Sequence, residues 1–519
     1  MQNVPAEWVS KHTQPILPLS DLLITFDVAD VNAKSSISSV SFVDGKAESN
    51  YNDIIDFTAN FSQYYVLDNS GLILDGGAEA LDTSSHRGYI GNTITAADGS
   101  ISISPKNSIT INFSSVITTN LPYISIQWGK AFNEYATKFS IAFYNGGTLL
   151  NTISVVDNED VFSVIATNIS NYNAIIITIE EWNIGYCVPK MEQIILGQRL
   201  ELNKTNLLKF SCDMETDLNS FFLPTHKITF EIDNSNDQFN PDNPSGIYAY
   251  LDEKQVVNVL YGLKLSGGMY YINGGRFYLT EWKVPQNSIS ATFYAESLLS
   301  FMDKDFDIAQ LGTLPITTDL KTLATSAFTQ CGISSSNYVI NNALSNISCI
   351  IDTEIGYKCR EIVQLCANAG ECIIRVDRDG IINIEQFDIS SLTDSGYVID
   401  KFVAFKNADY NNTSLLKDVV VNDGLGYYDT GNTKGETQTL QNPLIQTQAR
   451  ANIIAQWVAS VLQYNKRLDG EWRADTRLDL IDMIQVYNKY ANSIPLVITS
   501  IEYTFNGFYR GKYEGRIRQ

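Results

Sequence analysis

The chain has 519 residues. This length is greater than a single hydrophobic core can organise, so it predicts several domains. Its 44% hydrophobic and 11% aromatic residues are enough to fill such cores, which excludes an intrinsically disordered chain. The 58 acidic residues outnumber the 36 basic ones, and the net charge of −22 repels phosphate backbones and argues against nucleic acid as a partner.

The sequence contains no signal for a membrane span, for secretion or for a metal site. No apolar stretch approaches the roughly 18–20 residues that cross a bilayer. The first residues lack the charged and apolar regions of a secretory signal, which predicts synthesis in a cytoplasm. The seven cysteines include no CxxC pair and the three histidines are scattered, so we expect neither zinc nor any other cofactor.

The first 79 residues divide into an arm and a β segment. Residues 1–20 are polar and contain prolines, which predicts an extended amino-terminal arm. Within residues 21–79, "DLLITFDVADV" and "SSISSVSFVDG" alternate apolar and polar positions as strands do, and "GLILDGGAEA" follows them. We expect this segment to pair with the β unit that starts near residue 190.

Residues 80–189 predict a β-sandwich. The segments "ISISPKNSITINF", "PYISIQWG", "KFSIAFYNGGTLLNTISVV" and "NAIIITIEEW" have strand patterns, and "NGG" is a hairpin signal. No helical period of useful length interrupts them, which favours an antiparallel sandwich of jelly-roll type. The strand pattern resembles that of carbohydrate-binding modules.

Three further regions follow the sandwich. Residues 190–302 contain five strand patterns and predict a compact β unit, and residues 303–400 combine helical and strand patterns. Residues 401–519 predict a closing helix at about 445–464 and a second β unit. The predicted fold class is therefore mainly β with α+β segments, in several domains.

Local signals place the helices and one hairpin of the α+β region. Thr318 or Asp319 is suited to cap a first helix, and Gly332 stops it. A second helix begins at about residue 356 and ends at Gly370. The segment "ECIIRVDRDGIINIEQF" predicts a hairpin that turns at "RDG".

An asparagine- and aspartate-rich loop, "DNSNDQFNPDNP", is the one candidate for a cation site. Asp233, Ser235 and Asp237 fit the first three ligand positions of an EF-hand loop. Gln238 and Pro244 occupy the positions that need glycine and a closing glutamate. Asx residues also fold turns by bonding their own backbone, so we predict a structural loop and keep a bound cation as the alternative.

No constellation of residues requires an enzyme. The sequence has no G-x-S-x-G elbow, no glycine-rich phosphate loop and no HExxH. Glu180 and Glu181 beside Trp182 form the most suggestive carboxylate pair for glycoside hydrolysis. We expect a protein without catalytic activity.

Four large aromatic residues of the sandwich are candidates for glycan binding. Trp128, Tyr135, Tyr144 and Trp182 lie near predicted strand ends or loops, where flat rings stack on sugars. The alternative for each ring is that it fills the core of the sandwich.

Four segments, in order, resemble the baseplate hub proteins of phage tails, including the amino-terminal hub region of tail-associated lysins. The first is "LPTHKITFEIDNSNDQFNPDNPSGIYAYLDEKQVVNVLYGL", and the second is "LKTLATSAFTQCGI". The third, "IVQLCANAGECIIRVDRDGIINIE", has the family's helix and "D.DG" hairpin, and the fourth, "WVASVLQYNKRLDGEWRADTRLDLIDMIQV", resembles its closing helix and "WR" segment. Ile481-Asp482 and Thr476 depart from the family's "GD" and proline.

The resemblance covers roughly residues 190–519, with a weaker echo in residues 15–75. It implies two hub-type β-barrels, at 190–302 and 401–519, and a non-enzymatic hub that joins the tail tube to the tip of a virion tail. It also implies a homotrimer that contacts other baseplate proteins. The sandwich then is an insertion that contacts host cell-surface polysaccharide or a neighbouring baseplate protein. A host-surface receptor-binding protein and a cell-wall glycan hydrolase are the two alternatives.

Overall fold

A computed structural model describes most of the chain: residues 1–12, 14, 19–29, 31–47, 89–129, 133–243, 246–285, 289–352, 356–406, 408–412, 414–464, 466–490 and 492–517. The chain folds into two compact units. The first unit comprises Met1–Ile24, Leu202–Asn240 and Val257–Gln519, and the second comprises Thr25–Glu201 and Pro241–Val256. Within the described residues, every helix is too short or too polar to cross a membrane.

The helices of the described residues, in chain order, are α1 (Ala6–His12), α2 (Val31–Ser35), α3 (Leu320–Gln330), α4 (Cys359–Ala369) and α5 (Gln448–Leu462). The strands up to residue 202 are β1 (Ser20–Ala29), β2 (Ile37–Val43), β3 (Gly45–Ala47), β4 (Tyr89–Gly91), β5 (Ser108–Ile117), β6 (Leu121–Gln127), β7 (Ala136–Asn145), β8 (Thr148–Val155), β9 (Phe162–Ile169), β10 (Tyr172–Trp182), β11 (Lys190–Met191), β12 (Gln193–Ile195) and β13 (Gly197–Leu202).

The strands from residue 207 to residue 399 are β14 (Leu207–Glu215), β15 (Thr225–Asp233), β16 (Val256–Leu265), β17 (Gly268–Lys283), β18 (Ser290–Glu296), β19 (Ile316–Asp319), β20 (Tyr338–Ile340), β21 (Ser348–Ile351), β22 (Cys372–Val376), β23 (Ile382–Gln386) and β24 (Asp394–Ile399). The last strands are β25 (Asp409–Asn412), β26 (Leu416–Val421), β27 (Gly426–Asp429), β28 (Glu436–Leu440), β29 (Lys466–Trp472), β30 (Met483–Tyr487), β31 (Ser493–Phe505) and β32 (Tyr509–Ile517). The mainly β class with α+β segments is confirmed.

The second unit is a β-sandwich. One sheet has the order β2-β5-β10-β7-β8, and a second has the order β12-β6-β9. Alternate residues of a strand share one face, so each sheet turns a row of apolar side chains inward. The two rows form one core, to which β5, β10 and β6 contribute Ile109, Ile111, Ile175, Ile177, Ile124 and Ile126.

The segment 21–79 does not pair with the first β unit as a whole, as the sequence analysis expected. Its first strand, β1, lies beside β16, and the Lys264 N–H donates to the Leu19 carbonyl (2.8 Å). Its second strand, β2, instead pairs with β5 of the sandwich, with Val40 opposite Ile111. Strand β2 pairs with β5 because its apolar side chains Val40 and Phe42 pack against the sandwich core. The predicted turn in "GLILDGGAEA" lies outside the described residues.

The amino-terminal arm is helical in part, which corrects the predicted extended arm. Helix α1 buries one large apolar side chain, Trp8, which stacks on His12 one turn later (centroids 5.7 Å apart). The Trp8 Nε1–H also donates to Asp475 Oδ1 (3.4 Å). Because one buried apolar residue does not make a helical period, the sequence does not predict this helix. Packing against residues that are distant in the sequence stabilises it.

Most strands of the first unit belong to one sheet. From β1 the order is β16-β17-β18-β15-β14-β31-β32-β29-β25, with β30 beside β31 and β24 beside β30. Strands β14 and β31 join the two predicted barrel regions, with Phe210 opposite Phe505 and Glu215 opposite Ser500. Among the described residues these pairings form an open path, and closure into barrels remains a prediction.

The α+β region contains the helices and the hairpin that the sequence predicts. Asp319 caps α3, because its Oδ1 accepts the Thr322 N–H (2.9 Å). In the region after residue 400, Thr447 caps the closing helix α5 in the same way, through the Arg450 N–H (3.3 Å). Strands β22 and β23 form the predicted antiparallel hairpin, and β20 adds to β23 in parallel.

Candidate functional site

The candidate cation loop uses its carboxylates to fold itself. The Ser235 backbone N–H and hydroxyl donate to the two carboxylate oxygens of Asp233 (2.9 and 3.1 Å). Asp237 Oδ1 accepts from the Asn240 side-chain amide (2.9 Å). Within the described residues no cluster of three acidic, histidine or cysteine side chains has the geometry of a metal site. The loop therefore contains the Asx turns that the sequence predicts for a structural loop.

We predict that calcium leaves the stability of the chain unchanged. A cation bound to the folded loop at a concentration of a hundred times Kd stabilises by about 2.7 kcal/mol, which raises the thermal midpoint measurably. The measurement is thermal unfolding in calcium against the same buffer with a chelator, with Asp233→Asn as the matched variant. A calcium-dependent rise of the thermal midpoint in the wild type that Asp233→Asn removes would contradict the prediction and would show that the loop binds a cation.

The two sandwich tryptophans are core residues, which corrects their prediction as glycan platforms. Trp128 is 0% exposed and Trp182 is 1% exposed, and their rings meet edge to face with centroids 5.9 Å apart. Trp128 packs against Phe139 in the same way, and its Nε1–H donates to Ser163 Oγ (2.8 Å). A sugar stacks on an open ring face, and these faces are covered by protein.

The other two candidate aromatics, Tyr135 and Tyr144, are half-buried and remain predictions. Glu180 Oε2 lies 3.3 Å from Lys138 Nζ, and Glu181 Oε1 lies 3.8 Å from the same atom. The predicted carboxylate pair therefore shares one lysine. The structure thus does not bring the four candidate aromatics onto one exposed surface.

The predicted hairpin turn between β22 and β23 carries Arg378, whose side chain makes four hydrogen bonds. Asp377 Oδ1 accepts the N–H groups of Asp379 and Ile381 (both 3.0 Å), and Gly380 has the positive φ (79°) that this turn requires. The turn aims the Arg378 side chain into the protein.

Arg378 joins three separate stretches of the first unit. Its Nε–H donates to Asp479 Oδ1 (2.6 Å), and its Nη1–H donates to the Asn273 carbonyl (2.6 Å). Its Nη2 donates to the carbonyls of Thr476 and Leu478 (2.9 and 2.8 Å). Burial alone lowers the pKa of this guanidinium, but the Asp479 carboxylate and other partners outweigh it, and the pKa is raised. These bonds make Arg378 a structural joint.

The amino-terminal residues bind the same segment, "WRADTRLDLID", that receives Arg378. The amino group of Met1 donates to Asp482 Oδ1 (2.7 Å), and the Gln2 N–H donates to the Arg477 carbonyl (3.0 Å). Farther along, Arg473 Nη2 donates to the His12 carbonyl (2.5 Å). Sequence analysis missed this joint, and its one signal was the density of charged residues in a segment that proves to be largely buried.

A cavity of about 360 Å³ lies beside the joint and is lined by His226, Asn273, Arg375 and Asp479, among others. Burial lowers the pKa of His226 to about 4, an effect that Asp479 opposes and that Arg375 and Arg378 reinforce. The imidazole is therefore neutral in the folded protein at physiological pH.

We predict that His226 weakens the fold as the solution is acidified. Between its ordinary pKa of 6.5 and its folded value of about 4, only the unfolded chain takes up the proton. The contribution is fully present above pH 6.5 and falls by about 3 kcal/mol on acidification through the folded pKa. The measurement is the urea unfolding free energy from neutral to acidic pH. His226→Gln is expected to remove this part of the slope, and an identical slope in both proteins would contradict the prediction.

No protein-family model matches the chain, and no curated protein sequence matches it. Several solved structures are similar to it in part. The tail protein from Neisseria meningitidis MC58 has 12% identity over 62% of this chain and 93% of its own, with a TM-score of 0.43.

The 43 kDa tail protein of prophage MuSo2 from Shewanella oneidensis has 13% identity over 61% and 94% of the two chains, with a TM-score of 0.42. Prophage tail protein gp18 from Listeria monocytogenes has 11% identity over 62% and 92%, with a TM-score of 0.39.

Proposed function

We propose that the chain is a structural component of a phage tail or tail-like particle, a baseplate hub protein that joins the tail tube to the tip. One observation carries the proposal: four sequence segments that resemble hub proteins occur in order and fold within one chain as the elements that the resemblance implies. In order, they supply strands β15 and β16, helix α3, the α4–hairpin unit, and helix α5 with the "WR" segment.

The bonding of the polar groups supports a structural role without catalysis. The four Arg378 hydrogen bonds all go to acceptors of the fold itself, among them Asp479 and the Thr476 carbonyl. The Glu180 and Glu181 carboxylates, the candidate pair for a glycan hydrolase, lie against Lys138. A group whose partners are fixed in the fold adds stability and has little freedom to activate a substrate.

We further propose that the hub is a homotrimer whose inserted sandwich contacts a neighbouring baseplate protein. The burial of both tryptophans removes the strongest glycan platforms, whereas the edge strand β8 exposes Leu149 and Leu150. Exposed apolar residues on a strand edge suit a protein contact. Adhesion to host polysaccharide is the competing role for this module.

Light scattering measures the mass of the purified chain in solution and tests the homotrimer. A pull-down with host cell walls, made beside it, tests the partner of the sandwich. A particle of three 57.9 kDa chains without wall binding supports a hub whose sandwich serves assembly. A monomer that binds walls would contradict the proposal and favour a receptor-binding protein. Tyr186→Ala, at a tyrosine of the sandwich that is 65% exposed, is the matched variant for any wall binding observed.

A further inference from the structure

Exposed aromatic residues gather at one end of the large sheet of the first unit. Phe402 is 66% exposed and Tyr490 is 72% exposed, and Tyr410 and Tyr487 are also exposed. Single exposed apolar residues are ordinary on a protein surface, but a contiguous group marks a site of interaction. We call the depression that these four residues border the aromatic groove.

The aromatic groove consists of two adjoining cavities of about 360 and 550 Å³. Both are lined by the end of β30 and the turn after it, including Tyr487 and Lys489. Tyr410 of β25 lines the first cavity, and Phe402, in the turn after β24, lines the second. Leu468 and Ile494 add apolar surface to the first cavity.

The groove follows the edge of a strand. Strand β25 pairs with β29 on one side, from Asp409 opposite Asp469 to Asn412 opposite Lys466. Among the described residues no strand pairs with its other edge, and Asp409 and Tyr410 of this strand line the first cavity. A strand edge offers backbone N–H and carbonyl groups that an added strand satisfies.

Two lysines give the groove a positive charge within an acidic protein. Lys401 Nζ lies 5.1 Å from the ring centroid of Phe402, and Lys489 Nζ lies 4.9 Å from that of Tyr490. Neither lysine forms a salt bridge to a described carboxylate. A third lysine of the groove, Lys406, pairs with Asp409 (2.5 Å). The three lysines that line the groove therefore outnumber its two carboxylates, Asp400 and Asp409.

We propose that the aromatic groove binds an extended acidic peptide segment of a partner protein, which adds a strand to the free edge of β25. In such an addition the backbone supplies affinity, and alternate side chains supply specificity. Acidic side chains of the peptide pair with Lys401 and Lys489, and its apolar side chains cover Tyr410 and Tyr490. The complex is expected to weaken with salt, because the charge pairs are exposed.

The test is fluorescence anisotropy of the full chain with a fluorescein-labelled peptide of alternating glutamate and valine. We expect saturable binding that weakens about tenfold in the Lys401→Glu/Lys489→Glu variant, since two attractive charges become repulsive. Lys204→Glu/Lys434→Glu, an equal charge change at exposed positions that do not line the groove, is the matched control. Tyr490→Ala is expected to weaken binding while leaving the unfolding midpoint unchanged.

Four results of the peptide experiments would overturn the proposal. They are the absence of saturable binding, equal binding of a peptide with lysine in place of glutamate, an unchanged affinity in the Lys401→Glu/Lys489→Glu variant, and unchanged amide exchange of Asp409–Asn412 in the presence of the peptide. A self-association by light scattering that Lys401→Glu/Lys489→Glu abolishes would assign the groove to a second copy of the chain and would also overturn it.

Discussion

Replacing Arg378 with alanine is expected to lower the free energy of unfolding of the first unit by about 3 kcal/mol, the lower end of the usual cost of removing one partner of a buried ion pair, because this pair is partly buried. The loss leaves the Asp479 carboxylate without its arginine and the carbonyls of Asn273, Thr476 and Leu478 without this donor. Urea unfolding at neutral pH measures the change.

Two variants distinguish this joint from an ordinary ion pair. Arg360→Ala removes an exposed arginine that lies 3.4 Å from Asp303, and its expected cost is below about 1 kcal/mol. Arg378→Lys keeps the charge but loses the planar fork that reaches four acceptors, so we expect an intermediate loss. A cost for Arg378→Ala as small as that for Arg360→Ala would refute the structural joint.

Replacing Trp128 with alanine is expected to destabilise the sandwich by about 3–5 kcal/mol, because the change empties a large volume of its core. The variant loses the contacts with Phe139 and Trp182 and leaves Ser163 Oγ without the indole donor. A surface platform for sugars would behave in the opposite way, with lost affinity and little change in stability.

Hydrogen exchange of the β7 and β10 amides measures this effect within the sandwich, separately from the first unit. Tyr186→Ala, at a residue that is 65% exposed, is the control and is expected to change stability by no more than about 0.5 kcal/mol. Equal exchange rates in Trp128→Ala and the wild type would mean that the ring is not a core residue.

Features that depend on neighbours in sequence were predictable. Asp319 caps a helix through the first turn of that helix, and the Asp377–Gly380 turn forms from "DRDG". The Asx loop at Asp233 is equally local, since its carboxylate accepts two bonds from Ser235. In each case the hydrogen bonds join residues that lie within about five positions of one another in the sequence.

Features that depend on distant packing were not predictable. Alternation along β2 identified a strand, but only the sandwich core explains its pairing with β5. The same holds for α1, where Trp8 is buried through a contact with Asp475. The orientation of Trp128 could not be read from sequence either, because an aromatic ring near a strand end fits both a core and a surface.

The hydrogen bonds of Arg378 also depend on tertiary structure, which the local sequence pattern does not predict. The sequence placed this residue in a hairpin turn, and the structure shows that its acceptors come from segments about Asn273 and Asp479. Only the paired order of the large sheet brings those segments together. The joint is therefore a property of the tertiary structure.

Electron microscopy of purified tail particles, labelled with gold-conjugated antibodies against this chain, tests the central claim most directly. A structural hub is expected to place the label at one end of the tail, and disruption of the gene is expected to leave no complete tails. Unlabelled particles, together with complete tails after disruption, would contradict the account.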